Sequence, residues 1–201
     1  DILIILDCMT CEMVNRCVDE YSFLSDMDSI VSVGSTSTEW MEKTFTQNYL
    51  SEVNNTLYIT GNTHSHDWIN YEYFYNVKEV WKEGWHVDSK TVPPRRITDT
   101  AIHHHRKSDP KRMILHYMQP HQPFINLNGT SLYEDSNNMT LEELHYLEGY
   151  SREEILDAYV GNLRAVLDDI VLLLSNIAGD QVVISADHGE ALVEKSVWGH
   201  P

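Results

Sequence analysis

The chain has 201 residues, 42% of them hydrophobic, enough for one α/β domain with a substantial buried core, taken here as a single catalytic-type domain over 1–201. Its 31 acidic against 14 basic residues give a formal charge of −17, which argues against nucleic acid as a partner, because binding a phosphate backbone needs a basic face. No apolar run reaches the roughly 18–20 residues that cross a bilayer, so no membrane span is expected.

The chain opens on Asp1, directly before Ile2-Leu3-Ile4-Ile5-Leu6, with neither a basic region nor an initiator Met. That reads as a chain cut at the start of its first strand rather than as a signal peptide. Residues 1–6 are short, β-branched and continuously apolar, as a strand buried on both faces should be. A helix is expected from Glu12 to Leu24, and a second strand over Ser29-Ile30-Val31-Ser32-Val33, ending at Gly34. Cys8, Cys11 and Cys17 all lie before that strand. Their odd number argues against a disulfide framework. Cys8 and Cys11 have C-x-x-C spacing, but no second ligand pair follows at a zinc-site distance. Three reduced cysteines are therefore expected, and with them a cytoplasmic location.

Thr38 to Thr46 reads as a helix capped by Ser35, Thr36 or Ser37, and Leu57 to Thr60 as a third strand closed by Gly61-Asn62. The aromatic-rich span Trp68 to Trp85 reads as a meander packed over the sheet edge. Pro93-Pro94-Arg95-Arg96 marks a linker before a short helix that carries His103-His104-His105. Three consecutive helical residues cannot converge on one ion, so these histidines are expected at the surface. Arg112 to Met118 is another buried strand, and Asn126 to Asn138 a polar loop. Asn54, Asn128 and Asn138 have N-x-T spacing, relevant only outside the cytoplasm. Ser151-x-x-Glu154 is a capping box, and Ile155, Tyr159, Leu163, Val166, Ile170 and Leu173 recur behind it at helical spacing. Gly179-Asp180 ends that helix, and Gln181 to Ala186 is a last buried strand.

Strands alternating with helices predict a mostly parallel, doubly wound sheet with helices on both faces. The loops after strand C-termini then form the ligand crevice. Asp7, Gly34-Ser35-Thr36, Asn62-Thr63-His64, His121 and Asp187-His188 would all lie along that one rim. Carboxylate oxygens and imidazole nitrogens are what divalent metals take, so Asp7, Asp187 and His188 are candidate ligands. The hydroxyls of Ser35, Thr36, Ser37 and Thr38 stand before a helix N-terminus, where an alkoxide or a bound phosphate-like group is stabilised.

Several segments, in this order, resemble an archaeal sulfatase-like family within the alkaline-phosphatase superfamily. They are Leu6-Asp7, Gly34-Ser35-Thr36-Ser37-Thr38-Glu39-Trp40, His116 to Phe124 (with Gln-Pro-His-Gln-Pro-Phe), Tyr159-x-x-Asn162-Leu163, Ala186-Asp187-His188-Gly189-Glu190, and Trp198-Gly199-His200-Pro201. The resemblance implies an alkaline-phosphatase-like fold with a divalent ion (Mn, Zn, Ca or Mg) at the C-terminal edge of the sheet. On this resemblance Asp7, Asp187 and His188 hold the ion. Thr36 is the nucleophile and a further ligand, His121 contacts the substrate, and His200 faces the leaving group. The implied partner is a small-molecule or glycan phosphate or sulfate ester.

Thr36 cannot become the formylglycine of sulfatases, and Trp40 stands in the place of their arginine. A phosphate or phosphodiester hydrolase or transferase is thus expected ahead of a sulfuric ester hydrolase. A third reading is a catalytically impaired relative that binds metal or an anion. It is motivated by Met9-Thr10-Cys11-Glu12 in place of Cys-Arg-Tyr-Asp and by Val193-Glu194-Lys195 in place of Gly-Glu. The family continues beyond the point matching Pro201, so a C-terminally truncated chain is expected.

Overall fold

The computed structural model of the chain describes residues 1–24, 26–127, 129–193 and 197–200. Strands β1 (Ile2–Asp7), β2 (Thr56–Thr60), β3 (Asn76–Glu79), β4 (Arg112–Pro120) and β5 (Val182–Ala186) form one all-parallel sheet in the order β3-β2-β4-β1-β5. The helices are α1 (Cys11–Asn15), α2 (Ser37–Thr44), α3 (Leu50–Val53), α4 (Ser65–Trp68), α5 (Trp81–Gly84), α6 (Pro94–Ser108), α7 (Ser131–Ser136), α8 (Leu141–Tyr146) and α9 (Arg152–Asn176). A two-stranded ribbon of β6 (Ala191–Leu192) and β7 (Trp198–Gly199) follows the sheet.

Alternation along β1 divides the core. Ile2, Ile4 and Leu6 pack with Ile97 and Ala101 of α6 and Ile155, Leu163 and Val166 of α9. Ile5 points the other way, into a cluster with Trp40, Met41, Phe45, Tyr58 and Phe74. Helices therefore cover both faces, and a central parallel strand is apolar throughout because neither face meets water. The Ser151 capping box is present: Ser151 Oγ accepts from Glu154 N, and the Glu154 carboxylate accepts from Ser151 N at 2.8 Å. No helix among the described residues is long and apolar enough to cross a membrane.

Several local expectations fail. Residues 29–33 do not form a strand: Ile30 and Val31 are 79% and 97% exposed, and the segment pairs with no strand although β5 beside it is an edge. The Glu12–Leu24 helix breaks into α1 and two 3-10 turns, Val18–Glu20 and Ser22–Leu24. Packing onto α9 replaces its helical bonds, with Tyr21 Oη donating to Arg164 O and Asp168 Oδ1. Pro94 opens α6 instead of a linker, since an N1 proline lacks only an N–H the helix does not use. The aromatic span holds a parallel edge strand, β3, and the 126–138 stretch contains α7, capped by Thr130. β5 lies at the sheet edge, with Val183 54% exposed, rather than in its interior. Asn128, Glu194, Lys195 and Pro201 lie outside the described residues.

Candidate metal centre

The strand ends bring the chemistry together. β1 shifts register against β4 between Leu6 and Asp7, where the chain leaves the sheet. There Asp7 is buried beside Asp187 and His188, which follow β5, and His116 of β4. His188 Nε2 lies 3.4 Å from Asp7 Oδ1 and 3.5 Å from Asp187 Oδ2, and His116 Nε2 lies 3.4 Å from Asp187 Oδ2. Asp187 Oδ1 accepts from the backbone N–H groups of His188 (2.8 Å) and Cys8 (3.3 Å). One ligand atom each from Asp7, His116 and Asp187 lies within 4.8 Å of the others, close enough to share a cation.

Burial pushes the Asp7 carboxyl upward. The hydrogen bond to His188 and the charges of His121 and His188 outweigh burial and hold it well below the usual carboxylate range. Burial opposes the charge on His188, but its bond to Asp7 and the nearby Asp187 raise it to about 9. Without a cation, this cluster keeps a proton as its counter-charge.

The fit to a metal ion rests on an orphan. His116 Nε2 is fully buried and has no hydrogen-bond partner, although it is aimed at the carboxylates. Its other nitrogen, Nδ1, lies 2.8 Å from Tyr58 Oη, and Trp40 packs edge-on against the ring. With the proton on Nδ1, Nε2 presents a lone pair to the cluster, the arrangement a second contact normally fixes for a ligating histidine. Asp7, His116 and Asp187 form one such donor set and Asp7, Cys8 and His188 another, and carboxylates with an imidazole suit a divalent ion of the first transition row or zinc.

The hydroxyl in this cluster belongs to Ser37. Its Oγ donates to Asp187 Oδ2 at 2.6 Å, lies 3.4 Å from both Asp7 Oδ2 and His188 Nε2, and accepts from Asn62 Nδ2 at 2.9 Å. Thr36, expected as nucleophile and ligand, is not brought into this group. It is the N-cap of α2: its Oγ1 accepts from Glu39 N and pairs with Thr38 Oγ1. The helix begins at Ser37, so one residue of phase decides which hydroxyl turns inward.

His121 and His200 lie together beside this centre, their rings 5.5 Å apart, and the His200 ring is 4.5 Å from that of His188. Asn162 of α9 holds the His121 loop, its Nδ2 donating to the carbonyls of Pro120, His121 and Pro123. His200 Nδ1 lies 3.0 Å from Glu190 Oε1, and Tyr159 Oη donates to Glu190 Oε2 at 2.8 Å. Burial raises the Glu190 carboxyl, and the bond to His200 and the charge of His121 more than reverse that. Gly199 precedes His200 in a left-handed turn, φ +77°, that favours glycine; a Cβ there would make only ordinary contact, 3.7 Å, with Glu190 Oε1. A shallow depression of about 600 Å³, lined in part by Gly34, Ser35, Glu39, Glu190 and His200, opens above these residues.

The sequence places Asn62 on the rim and Ser37 among the candidate hydroxyls without giving either a role, and does not single out His116. For His116 a signal existed, an imidazole amid the apolar run Met113-Ile114-Leu115 and Tyr117-Met118. The His103–His105 triplet joins none of the metal-capable groups among the described residues. Comparison with protein-family models, curated proteins and solved structures returned no match.

Proposed function

We propose that the chain is a metal-dependent hydrolase or transferase of phosphate esters, with an alkaline-phosphatase-like site at its sheet edge. The observation that carries this reading is the Ser37 hydroxyl, fixed among Asp7, Asp187 and His188 at the N-terminus of α2, with the orphan His116 nitrogen alongside. The resemblance of the Asp7, Gly34–Trp40, His121 and Asp187-His188 segments to sulfatase-like proteins supports it, and the contact of Ser37 Oγ with Asp187 is the reason for taking Ser37 rather than Thr36 as nucleophile.

Asp7, Asp187, His188 and His116 would hold the divalent ion, whose chemistry is to neutralise the ester's charge and lower the hydroxyl's pKa. Ser37 Oγ closes on phosphorus, its proton passing toward Asp187 Oδ2, while the bond to the leaving oxygen breaks. His121 faces the substrate's non-bridging oxygens, and His200, steadied by Glu190, returns a proton to the leaving oxygen. Water then releases phosphate, or an acceptor hydroxyl takes the phosphoryl group. Three carboxylates (Asp7, Asp187, Glu190) would repel an anionic ester, so substrate and ion are expected to bind together.

The test measures turnover of an aryl phosphate, an aryl phosphodiester and an aryl sulfate, with Mn, Zn, Ca or Mg and after chelation. Phosphate or phosphodiester turnover that chelation abolishes is expected. Ser37→Ala should lower it about 10²–10³-fold or more, and Thr36→Ala by much less. Turnover of the sulfate alone would move the reading to a sulfuric ester hydrolase. Metal binding without turnover of any ester would make the chain a binding relative.

A further inference from the structure

We infer that the substrate of this chain is an amphiphilic ester, its phosphate at the metal centre and its uncharged apolar tail in a groove along β5. The inference rests on the phosphoester reading and names a substrate class for it.

The groove encloses about 660 Å³, a volume in the range that holds a small-molecule ligand. β5 forms one wall over its whole length and α9 another, from Leu163 to Leu174. A five-residue strand at about 3.3 Å per residue and that stretch of helix at about 1.5 Å per residue both give a length of about 16 Å. Phe23, Leu24 and Ile30 add to the apolar lining. Among the described residues around the groove, the only acidic or basic side chains are Asp26, Asp28 and His188, and both aspartates are exposed. A second anionic group would meet two carboxylates and no Lys or Arg. The part of a ligand that enters is therefore uncharged, and its anionic head stays at the His188 end.

Continuity with the metal centre identifies the occupant. The groove and the depression above the centre meet at Thr10, Ser32 and Gly189, which line both. The 29–33 segment runs between them, with Ile30 on the groove and Val31 on the depression. Ser32 Oγ donates to the Asp187 carbonyl oxygen, and Lys43 Nζ donates to Val33 O at 2.8 Å, so the segment is tied down at its metal end. Ile30 stays 79% exposed, and Val183 of β5 54%. Apolar side chains left open around a cavity that leads to a polar centre mark a binding surface. A tail in the groove covers both, and its head then reaches the ion past Thr10 and Gly189.

Two measurements on the full chain with metal test this. The first is turnover of n-alkyl phosphates from methyl to decyl, below micelle-forming concentrations. The second is alkylation by iodoacetamide of Cys11, which is exposed on the groove while Cys8 and Cys17 are buried. kcat/KM should rise about two- to fourfold per added methylene until the tail fills the groove. Ile30→Glu and Val183→Glu, at exposed positions that folding does not need, should each flatten that rise and leave methyl phosphate turnover unchanged. Octyl phosphate at ten times its Kd should slow Cys11 alkylation about tenfold, and methyl phosphate should not. Turnover that ignores tail length overturns the groove and leaves the phosphoester reading standing. An undiminished rise in both Glu variants also overturns it, since the tail then lies elsewhere. Shielding of Cys11 by octyl phosphate without turnover of any ester refutes the phosphoester reading and keeps the groove as an amphiphile site. Concentration-dependent self-association that shields Cys11 and is lost in Ile30→Glu would give the groove to a second copy and overturn the inference.

Discussion

Asp187→Asn separates a metal centre from a polar knot that merely fits together. The amide oxygen can keep the acceptor role toward the N–H groups of Cys8 and His188, and the amide nitrogen can face Ser37 Oγ in place of Oδ2. The lost charge-assisted bond costs the metal-free protein about 1–2 kcal/mol, softened by relief of repulsion from Asp7. A cation at a hundred times its Kd stabilises the wild type by about 2.7 kcal/mol. For a domain of this size that is about 5–11 °C in Tm. Calorimetric melts with Mn, Zn, Ca and Mg should therefore show a rise of that order in the wild type for at least one ion. The variant should melt a few degrees lower without metal and gain little from the same ion. An equal metal-induced rise in the variant, or none in the wild type with any of the four, refutes the centre.

In chelated protein, His188 keeps its proton up to about 9 against an ordinary 6.5 when unfolded. That stabilisation, a few kcal/mol, is complete below about pH 6.5 and disappears as pH rises through 9. The stability gap between the wild type and His188→Asn should shrink over that window, and a constant gap contradicts the ion pairing. Asn162→Leu strips the donor from three carbonyls and should cost about 1–3 kcal/mol in denaturant unfolding. It should also raise KM more than it lowers kcat, through the freed His121 loop; an unchanged KM would dismiss that positioning role. Val31→Asp should move Tm by no more than about 1 °C, because the side chain is 97% exposed. A loss of several degrees would restore the strand that the structure denies. Ser151→Ala should cost about 1 kcal/mol through the lost cap, and an unchanged Tm would show that the box contributes nothing.

The strongly patterned segments were legible from the sequence. β1, β2 and β4 are short apolar runs, and α9 carries both its cap and its stripe, so local chemistry and burial agree there. The placement of Asp7, His121 and Asp187-His188 along one rim followed from strand polarity alone, because every loop after a parallel strand opens on the same edge. Segments with weak local preference went differently. Residues 29–33 have strand-like composition yet stay unpaired beside the edge strand β5, and residues 12–24 exchanged helical bonds for packing on α9.

Within the centre, the sequence by itself determined that two carboxylates, an imidazole and a cluster of hydroxyls share an edge. Only the tertiary structure decided which hydroxyl points inward. The start of α2 sets the phase, so Thr36 caps the helix and Ser37 meets Asp187. It also brought His116, Cys8 and Asn62 to the cluster: His116 and Cys8 meet Asp187 across 71 and 179 positions of chain, and Asn62 meets Asp7 across 55. No local rule relates residues so far apart; the order of strands in the sheet does.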